Sequence, residues 1–285
     1  MIGMKGKVCL VTGATSGIGK AIAYGLAESG ATLIVTGRNR DKAAKTLDEI
    51  RTASSNDDIH MLVADFSSLQ AVRNLADEFT DRFDHLDVLI NNAGLLTDHR
   101  QLSEEGYELT FAVNHLAPFL LTNLLLDVLI GSAPARIAVN SSSAMGGGYI
   151  DFDDLHAKAG FDGWSAYANT KLANFLFSNI LAEKLTNSGV VSNAFCPGLI
   201  DTNLLTGNQV FGPDGIERLR PRMRPPEEGA ITPIYLATAP EAAGISGVFF
   251  LKSHGNGKMP ARFHWDRDIA ERLWAVSLDH VSRWL

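Results

Sequence analysis

"KVCLVTGATSGIG", residues 7–19, joins a β-branched run to a glycine-rich turn that opens a helix. Gly13, Gly17 and Gly19 permit a tight turn and close backbone approach, and the exposed amides at a helix N-terminus suit a pyrophosphate. The spacing G-x-x-x-G-x-G differs from the G-x-G-x-x-G fingerprint of dinucleotide sites. A dinucleotide-binding turn is the favoured interpretation, and a glycine-rich turn without a ligand is the alternative.

The same order of strand and helix repeats along most of the chain. β-branched runs predict strands at 7–12, 32–37, 59–65, 87–92, 136–143 and 190–198, with a last strand near 246–252. The patterns between and after them predict helices at 18–29, 41–51, 69–83, within 104–130, through 165–186 and near 266–279. Such alternation implies right-handed crossovers and a parallel sheet that is covered on both faces.

The Gly/Pro-rich segment 207–229 interrupts this alternation. It predicts a mobile loop or a short helical lid, on the substrate side of the molecule near 203–229. The sequence contains no linker, internal repeat or low-complexity tract, so we interpret residues 1–285 as a single domain.

Composition and charge limit the classes of partner. Lys and Arg number 25 against 32 Asp and Glu, which gives a net charge of −7, and hydrophobic residues make up 46% of the chain. Such an acidic chain has no electrostatic reason to bind nucleic acid or an anionic membrane. We therefore expect a small, non-basic molecule as the partner.

The hydropathy and the cysteines favour a cytoplasmic location. The first predicted strand begins at residue 7, which leaves no room for a signal peptide before the fold. The most apolar stretch, 116–130, includes polar residues and is shorter than the roughly 20 residues that a membrane span needs. Cys9 and Cys196 lie roughly 14 Å apart if the sheet is doubly wound, too far for a disulfide, and no metal-ligand spacing is present. A reduced setting and the absence of a metal site are the expectations.

The residues that follow the second predicted strand bear on the choice of cofactor. An NAD site places Asp or Glu there to accept a hydrogen bond from the ribose 2′-hydroxyl, whereas this chain has Arg38 and Arg40. Guanidinium groups suit a 2′-phosphate. Asp41 more plausibly lies in the first turn of the next helix, where a carboxylate favours the dipole. NADP(H) is therefore favoured over NAD(H), and a solvated loop is the alternative interpretation of the arginines.

Four motifs in order resemble those of the short-chain dehydrogenase/reductase family over nearly the whole chain. They are "TGATSGIG" (12–19), "NNAG" (91–94), "YANTK" (167–171) and "PGLIDT" (197–202). The resemblance implies a Rossmann-type, doubly wound α/β fold with substrate bound above the carboxyl ends of the strands. It also implies a catalytic tetrad of Asn114, Ser142, Tyr167 and Lys171.

Carbonyl reduction explains why those residue types are needed. A carbonyl that accepts hydride becomes an alkoxide, which needs a proton donor and a polar group to hold its oxygen. By the resemblance, Tyr167 is the donor, or the base in the oxidative direction, and Ser142 holds the oxygen. Lys171, four residues on and on the same helical face, favours phenolate and binds the nicotinamide ribose. Asn114 anchors a water that relays protons through Lys171.

Other interpretations of these residues stay open. A Tyr–Lys pair on one helix face is more often packing with a snorkelling cation. Asn114 is alternatively a helix-interior residue that bonds to backbone. Three adjacent serines, 141–143, make the choice of Ser142 a matter of register, with Ser143 the second candidate.

The resemblance also assigns the cofactor contacts. The glycine-rich turn and the arginines lie on the phosphate side, Asp65 faces the adenine unless it is a helix N-terminal residue, and the other contacts surround the nicotinamide riboside. The full set is Gly13, Thr15, Ser16, Gly17, Ile18, Gly19, Arg38, Arg40, Asp65, Asn91, Ala93, Gly94, Tyr167, Lys171, Pro197, Gly198, Ile200 and Thr202.

Within the family the chain resembles retinol dehydrogenase-like reductases. The likeness depends on "VNHLAPFLLTNLLL" (113–126), "YANTKLANFLF" (167–177), "RDIAERLWAVS" (267–277) and the separation of Ser142 from Tyr167. It implies a lipophilic ketone, aldehyde or secondary alcohol. Two departures favour a hydrophobic metabolite other than a retinoid: the N-terminal apolar anchor is absent, and Cys196 stands where relatives often have histidine. Apolar pocket candidates, each of which could equally be core, are Leu95, Leu96, Met145, Leu204, Leu205, Val210 and Phe211.

Two further expectations concern assembly and competing functions. The predicted helices at 116–130 and 172–185 are apolar around most of their circumference. Family members often pair these helices, which predicts a homodimer, and packing of the two against each other is the alternative. The competing functions are an NADP(H)-sensing binding protein without turnover and a reductase of activated C=C bonds.

Overall fold

A twisted sheet forms the centre of the molecule, in a computed structural model that describes residues 3–251 and 260–285. Among these residues the strand order is β3-β2-β1-β4-β5-β6-β7-β8, with β1 to β7 parallel and β8 antiparallel. The strands are β1 (Val8–Val11), β2 (Thr32–Gly37), β3 (Ile59–Val63), β4 (Val88–Asn91), β5 (Ala135–Asn140), β6 (Val190–Cys196), β7 (Phe249–Leu251) and β8 (Pro260–Ala261). The last predicted strand, 246–252, corresponds to β7, and residue 252 lies outside the described residues.

Helices connect the strands and cover both faces. They are α1 (Gly17–Glu28), α2 (Arg40–Ser54), α3 (Leu69–Arg82), α4 (Leu109–Phe111), α5 (Ala117–Leu124), α6 (Leu126–Gly131), α7 (Gly163–Lys184), α8 (Asn203–Thr206), α9 (Gly212–Leu219), α10 (Pro226–Thr238) and α11 (Arg267–Val281). Local sequence fixes several starts, since Asn39, Ser68 and Asp162 accept a backbone N–H in the first turn of α2, α3 and α7. Within the described residues, no helix is both long and apolar enough to cross a bilayer.

Alternation along the central strands separates two apolar layers. Leu10 of β1 packs with α3, α5 and α7, while Cys9 and Val11 face the layer of α1, α2 and α10. All four residues of β1 are buried, as expected for a parallel strand that is covered on both faces. The Rossmann-type α/β fold expected from the sequence is confirmed. Cys9 and Cys196 are buried, unpaired and separated by β4 and β5.

The segment predicted as one helix within 104–130 contains several pieces. A π-helical turn, Ala112–Leu116, separates α4 from α5, and α6 follows after a break at Leu125. π-Turns inside helices are rare and occur often at functional sites. This turn places Asn114 and His115, both fully buried, beside α7.

The C-terminal helix α11 packs over α7, the π-turn and α5. The Trp274 ring lies 4.9 Å from that of Phe119 and 5.9 Å from that of Phe177, measured between centroids. Arg73 of α3 donates to the carbonyl oxygens of Trp284 and Leu285. Much of the apolar surface from which the homodimer was predicted is therefore covered within one chain, although Ile130 stays 41% exposed. The homodimer stays a prediction.

Candidate active site

The glycine-rich turn after β1 forms a tight cradle at the carboxyl edge of the sheet. Gly13 has a φ of +66°, a conformation that favours glycine. A Cβ on Gly19 would lie 2.3 Å from the Gly13 carbonyl oxygen, so only glycine fits there. The Thr12 hydroxyl accepts the backbone N–H groups of Asn92 and Ala93 at 2.9 Å, which fixes the cradle to the loop after β4.

The N-terminus of α1 differs from those of α2, α3 and α7. Ser16, which precedes α1, makes no capping hydrogen bond with its side chain, and the first turn of α1 contains no acidic residue. The side chains before α2, α3 and α7 do cap their helices. An uncapped first turn beside a glycine cradle suits the diphosphate of a dinucleotide.

Arg38 and Arg40 lie just beyond the carboxyl end of β2 and are exposed. Asn39 between them caps α2, and Asp41 occupies the first turn of that helix, as expected. The two guanidinium groups are thus available to a 2′-phosphate at this edge. Asp65 follows β3 and is exposed, and its Oδ1 accepts from the backbone N and the hydroxyl of Ser67 at 2.9 and 2.8 Å. Asp65 therefore acts as a turn residue before α3, and its contact with the adenine stays a prediction.

The Asn91 side chain lies outside the site. It is buried, and its Nδ2 donates to the Thr122 hydroxyl at 2.9 Å inside the core. Asn92, which the sequence interpretation missed, lines the cavity together with Gly94. Period-two alternation explains the difference, because consecutive residues at a strand end face opposite sides of the sheet.

One face of α7 carries the predicted catalytic pair. Trp164, Tyr167, Lys171 and Asn174 recur at helical spacing. Trp164 is 40% exposed, whereas the other three are buried, at 9%, 1% and 3%. The Lys171 Nζ lies 5.2 Å from the centre of the Tyr167 ring and donates to the Asn140 carbonyl oxygen at 3.2 Å. Trp164, absent from the predicted site, stacks on the Tyr167 ring at 5.6 Å between centroids.

The three adjacent serines have different partners. The Ser142 side chain is hydrogen-bonded with the Tyr167 phenol and accepts the Ala144 N–H at 3.1 Å. The Ser141 hydroxyl donates to the Lys171 carbonyl oxygen at 2.7 Å, and the Ser143 N–H donates to the Cys196 sulfur at 3.3 Å. Ser142 is thus the serine whose side chain faces the tyrosine, and Cys196 supports the turn that carries it.

Burial dominates the titration of the pair. Desolvation raises the pKa of Tyr167 well above its ordinary value, and the Ser142 hydrogen bond opposes this rise only in part. Desolvation also lowers the pKa of Lys171 to about 8. From the sequence we expect the nearby ammonium to favour phenolate. In this chain by itself the loss of water around the phenol is the larger effect.

Asn114 is held by the loop that follows β4. Its Oδ1 accepts the Leu95 N–H at 2.8 Å, and its Nδ2 donates to the Leu95 carbonyl oxygen at 2.9 Å and to the Thr170 hydroxyl at 3.1 Å. The Asn114 side chain therefore bonds to backbone, as expected if it is a helix-interior polar residue. The Asn114 main-chain oxygen faces α7 and accepts from Asn174.

A cavity of about 340 Å³ opens at this edge of the sheet. Its polar end contains Ser142, Tyr167 and Lys171, and its apolar wall contains Leu204 and Leu205 of the segment predicted as a lid. Leu96, Val210 and Phe211 pack beside that wall, whereas Leu95 and Met145 pack into other core clusters. Further lining residues are Ile18, Asn92, Gly94, Asn140, Ser143, Ala144, Trp164, Pro197, Gly198, Leu199, Ile200 and Thr202.

Comparison with known sequences extends these observations. A family model described as short chain dehydrogenase matches residues 7–209. Human retinol dehydrogenase 14 is 37% identical over 292 residues, which cover 96% of this chain and 86% of that protein. Human retinol dehydrogenase 13 is 39% identical over 280 residues, which cover 95% of this chain and 83% of that protein.

Solved structures show the same architecture. An uncharacterized protein from Mycobacterium paratuberculosis superposes with a TM-score of 0.79 at 28% identity, covering 99% of this chain and 96% of that one. The NADP active-site complex of Pseudomonas aeruginosa RhlG superposes with a TM-score of 0.72 at 28% identity, covering 90% of this chain and 98% of that one.

Proposed function

This chain belongs to the short-chain dehydrogenase family, and we propose that it is an NADP(H)-dependent oxidoreductase that interconverts a carbonyl and an alcohol on a hydrophobic small molecule. The observation that carries the proposal is the placement of Tyr167 and Lys171 on one face of α7, opposite Ser142, in a cavity beside the glycine cradle. That placement assembles a proton donor, a cation and a hydroxyl at one point.

The residues of the cavity serve the proton side of the reaction. A bound reduced nicotinamide supplies the hydride. Ser142 hydrogen-bonds the substrate oxygen, and Tyr167 donates the proton that this oxygen takes up. Burial keeps Tyr167 protonated at neutral pH, which is the state that carbonyl reduction requires. Lys171, with a pKa of about 8, is mostly protonated at pH 7 and stabilises the phenolate that forms.

The preference for NADP(H) is supported by charge at the end of β2. Arg38 and Arg40 are exposed there, in the place where an NAD site carries an acidic residue. A relative of 28% identity was solved as an NADP complex. NAD(H) is the alternative cofactor.

A hydrophobic substrate is supported by the walls of the cavity. Leu199, Leu204 and Leu205 contribute apolar surface, and Lys171 is the cation among the lining residues, where the proton-transfer pair uses it. The two human relatives are named as retinol dehydrogenases. These observations favour an uncharged, lipophilic ketone, aldehyde or alcohol.

The test is turnover of a substrate panel by wild type and a Tyr167→Phe variant. Ketones, aldehydes and secondary alcohols are incubated with NADP(H) or NAD(H), and the absorbance of the reduced nicotinamide is followed. We expect Tyr167→Phe to lose about 100-fold or more in turnover, because the proton donor is absent. Binding of NADPH, followed by its fluorescence, should persist.

Tyr149→Phe is the matched control, since Tyr149 is 69% exposed and lies outside the cavity lining. It should retain wild-type turnover. Full turnover by Tyr167→Phe would remove the catalytic assignment. NADPH binding by a wild type that turns over no member of the panel would favour the sensing protein instead.

A further inference from the structure

Asn174 joins two carbonyl groups at the buried end of the catalytic face of α7. It lies three residues beyond Lys171 and is 3% exposed. Its Nδ2 donates to the carbonyl oxygen of Asn114 in the π-turn at 2.8 Å, and to that of Asn140 at the end of β5 at 3.0 Å. Both hydrogens of one amide therefore hold the main chains of two different elements together.

One of these carbonyls also holds the catalytic cation. The Asn140 oxygen accepts from the Lys171 Nζ at 3.2 Å as well as from Asn174. Since Lys171 is 1% exposed, this carbonyl replaces water that the ammonium loses on burial. A shift of the Asn140 carbonyl would move the ammonium relative to the Tyr167 ring.

A buried histidine fixes the orientation of the Asn174 amide. The His115 Nδ1 lies 3.2 Å from the Asn174 Oδ1, and the His115 Nε2 lies 2.8 Å from the Ser277 hydroxyl of α11. Burial lowers the pKa of His115 to about 4, so the ring is neutral at physiological pH, with one donor and one acceptor. With the proton on Nδ1, His115 donates to Asn174 and accepts from Ser277. A flipped Asn174 amide would direct its oxygen at two carbonyl oxygens.

We propose that Asn174 is a positioning residue for proton transfer, which fixes the Asn140 carbonyl and through it the place of Lys171 beside Tyr167. This inference rests on the proposed function of the site. In this inference, the hydrogen-bonded series Ser277, His115 and Asn174 supports the pair Tyr167 and Lys171. The alternative is that Asn174 only stabilises the fold.

The principal variant is Asn174→Asp, which keeps the shape of the side chain and the acceptor for His115 but removes both donors. The new carboxylate attracts the Lys171 ammonium away from the Asn140 carbonyl. We expect turnover to fall about 10- to 100-fold because the pair is misplaced, while KM for substrate and for NADPH stays within about threefold.

A second readout needs no turnover. Trace acetylation of Lys171 by acetic anhydride, quantified by mass spectrometry across pH, reports the midpoint of its deprotonation in the protein without cofactor. Cys196 and Tyr167 are the other titratable groups that face Lys171 and are unchanged in every variant. The wild-type midpoint is expected near 8. Asn174→Asp should raise it by about one pH unit or more, since a nearby carboxylate favours the ammonium.

Asn174→Ala provides a second variant should the aspartate prevent folding. Water that enters the vacated space hydrates the ammonium, so the labelling midpoint again rises and turnover again falls. The matched control is Asn179→Ala, in the same helix, which is 4% exposed and donates to the Phe175 carbonyl oxygen away from the site. It should lower the melting temperature without moving the midpoint or turnover.

The outcomes separate this inference from the function on which it rests. The Asn174 variants could lower the melting temperature and leave the midpoint of Lys171 deprotonation at its wild-type value, the result expected for Asn179→Ala. That result would show that Asn174 only stabilises the fold, and it would overturn the inference. A wild type without turnover on the panel would overturn the proposed function. The labelling measurement would then still decide whether Asn174 positions Lys171.

Discussion

Lys171 is a cation almost without contact with solvent, and its surroundings determine what the tyrosine beside it can do. Its ammonium keeps one main-chain acceptor, the Asn140 carbonyl oxygen. Desolvation makes the charged form less favourable and brings the pKa to about 8, close enough to neutrality to matter for the reaction. Tyr167 responds to the same burial in the opposite sense, since its charged form is the phenolate.

The first residue-scale prediction concerns pH. Lys171 is protonated below its pKa of about 8 and loses its charge above it, while Tyr167 stays protonated to higher pH. The rate of carbonyl reduction should therefore be constant at neutral pH and decrease as pH rises through about 8. The measurement is kcat/KM for the reductive direction across the alkaline range. A rate that increases through this range would contradict the assignment.

The second residue-scale prediction concerns the cofactor. Arg38→Ala removes a guanidinium from the carboxyl end of β2 and should weaken NADPH binding about tenfold, or roughly 1.4 kcal/mol, while NADH binding changes little. Titration calorimetry with each cofactor measures both. Arg82→Ala is the control, since Arg82 lies at the far end of α3 in an exposed pair with Glu78. Equal losses for NADPH and NADH in Arg38→Ala would remove the argument for NADP(H).

The sequence indicated some residues of the candidate site more clearly than others. Helical spacing places Tyr167 and Lys171 on one face, but only the family resemblance of the motif at 167–171 gave them a catalytic role, which stays a prediction. The serine could not be chosen securely, since Ser141, Ser142 and Ser143 are identical in type and only the turn geometry separates them. Asn174 carried no signal, because nothing in a sequence distinguishes an asparagine that bridges two carbonyls from one that packs.

At the scale of elements, α7 is the part of the fold that most directly builds the site. Its capping residue, Asp162, accepts the Ser165 N–H at 2.8 Å one turn before the tyrosine. The cap holds the exposed end of the helix, where Trp164 covers Tyr167. The start of the helix therefore sets where the face with Tyr167 and Lys171 begins.

We expect Asp162→Ala to reduce stability by about 1 kcal/mol, the usual effect of a lost helix cap. The hydrogen bonds with Ser165 hold the pKa of Asp162 below its ordinary value. The cap therefore stabilises the fold fully above the ordinary aspartate pKa of about 4, and this stabilisation is lost as pH falls through the lower folded value. Urea unfolding at neutral and acidic pH measures both effects. A difference from wild type that grows as pH falls would contradict this origin.

Element boundaries were predicted well where packing and local sequence agree. The strands β1 to β4 and β6 lie within the predicted runs, and β5 begins one residue before its run. The helices α2 and α3 begin within one residue of the predicted positions because Asn39 and Ser68 cap them. The segment 104–130 was harder. Its π-turn arises from the packing of Asn114 and His115 against α7 and the loop after β4, which local propensity does not contain.

At the scale of the whole molecule, the C-terminal helix completes the core on one face of the sheet. Trp274 packs against Phe119 and Phe177, and Ser277 bonds with His115, 162 residues away in the sequence. The parallel sheet was predictable from the alternation of strands and helices. The packing of α11 over α7 was not predictable. An amphipathic helix near the C-terminus indicates that one of its faces is buried, but not against which element.

Trp274→Ala should destabilise the protein by roughly 2 kcal/mol, less than the loss of a fully buried tryptophan because this side chain is only partly buried. Chemical unfolding measures the loss. Light scattering after size exclusion should also show more self-association, since the apolar rings of α5 and α7 lose their cover. Tyr149→Ala is the control at an aromatic residue that is 69% exposed, and it should leave stability nearly unchanged.

The late position of α11 in the sequence affects how the protein is made. A nascent chain that has emerged only through α10 already contains the glycine cradle and the α7 face with Tyr167 and Lys171. It still lacks Trp274, which packs on Phe119 and Phe177, and the Trp284 carbonyl oxygen, which accepts a hydrogen bond from Arg73. Contacts this distant in sequence form slowly and leave apolar surface exposed meanwhile. A ribosome stalled before residue 267 should therefore hold an aggregation-prone product.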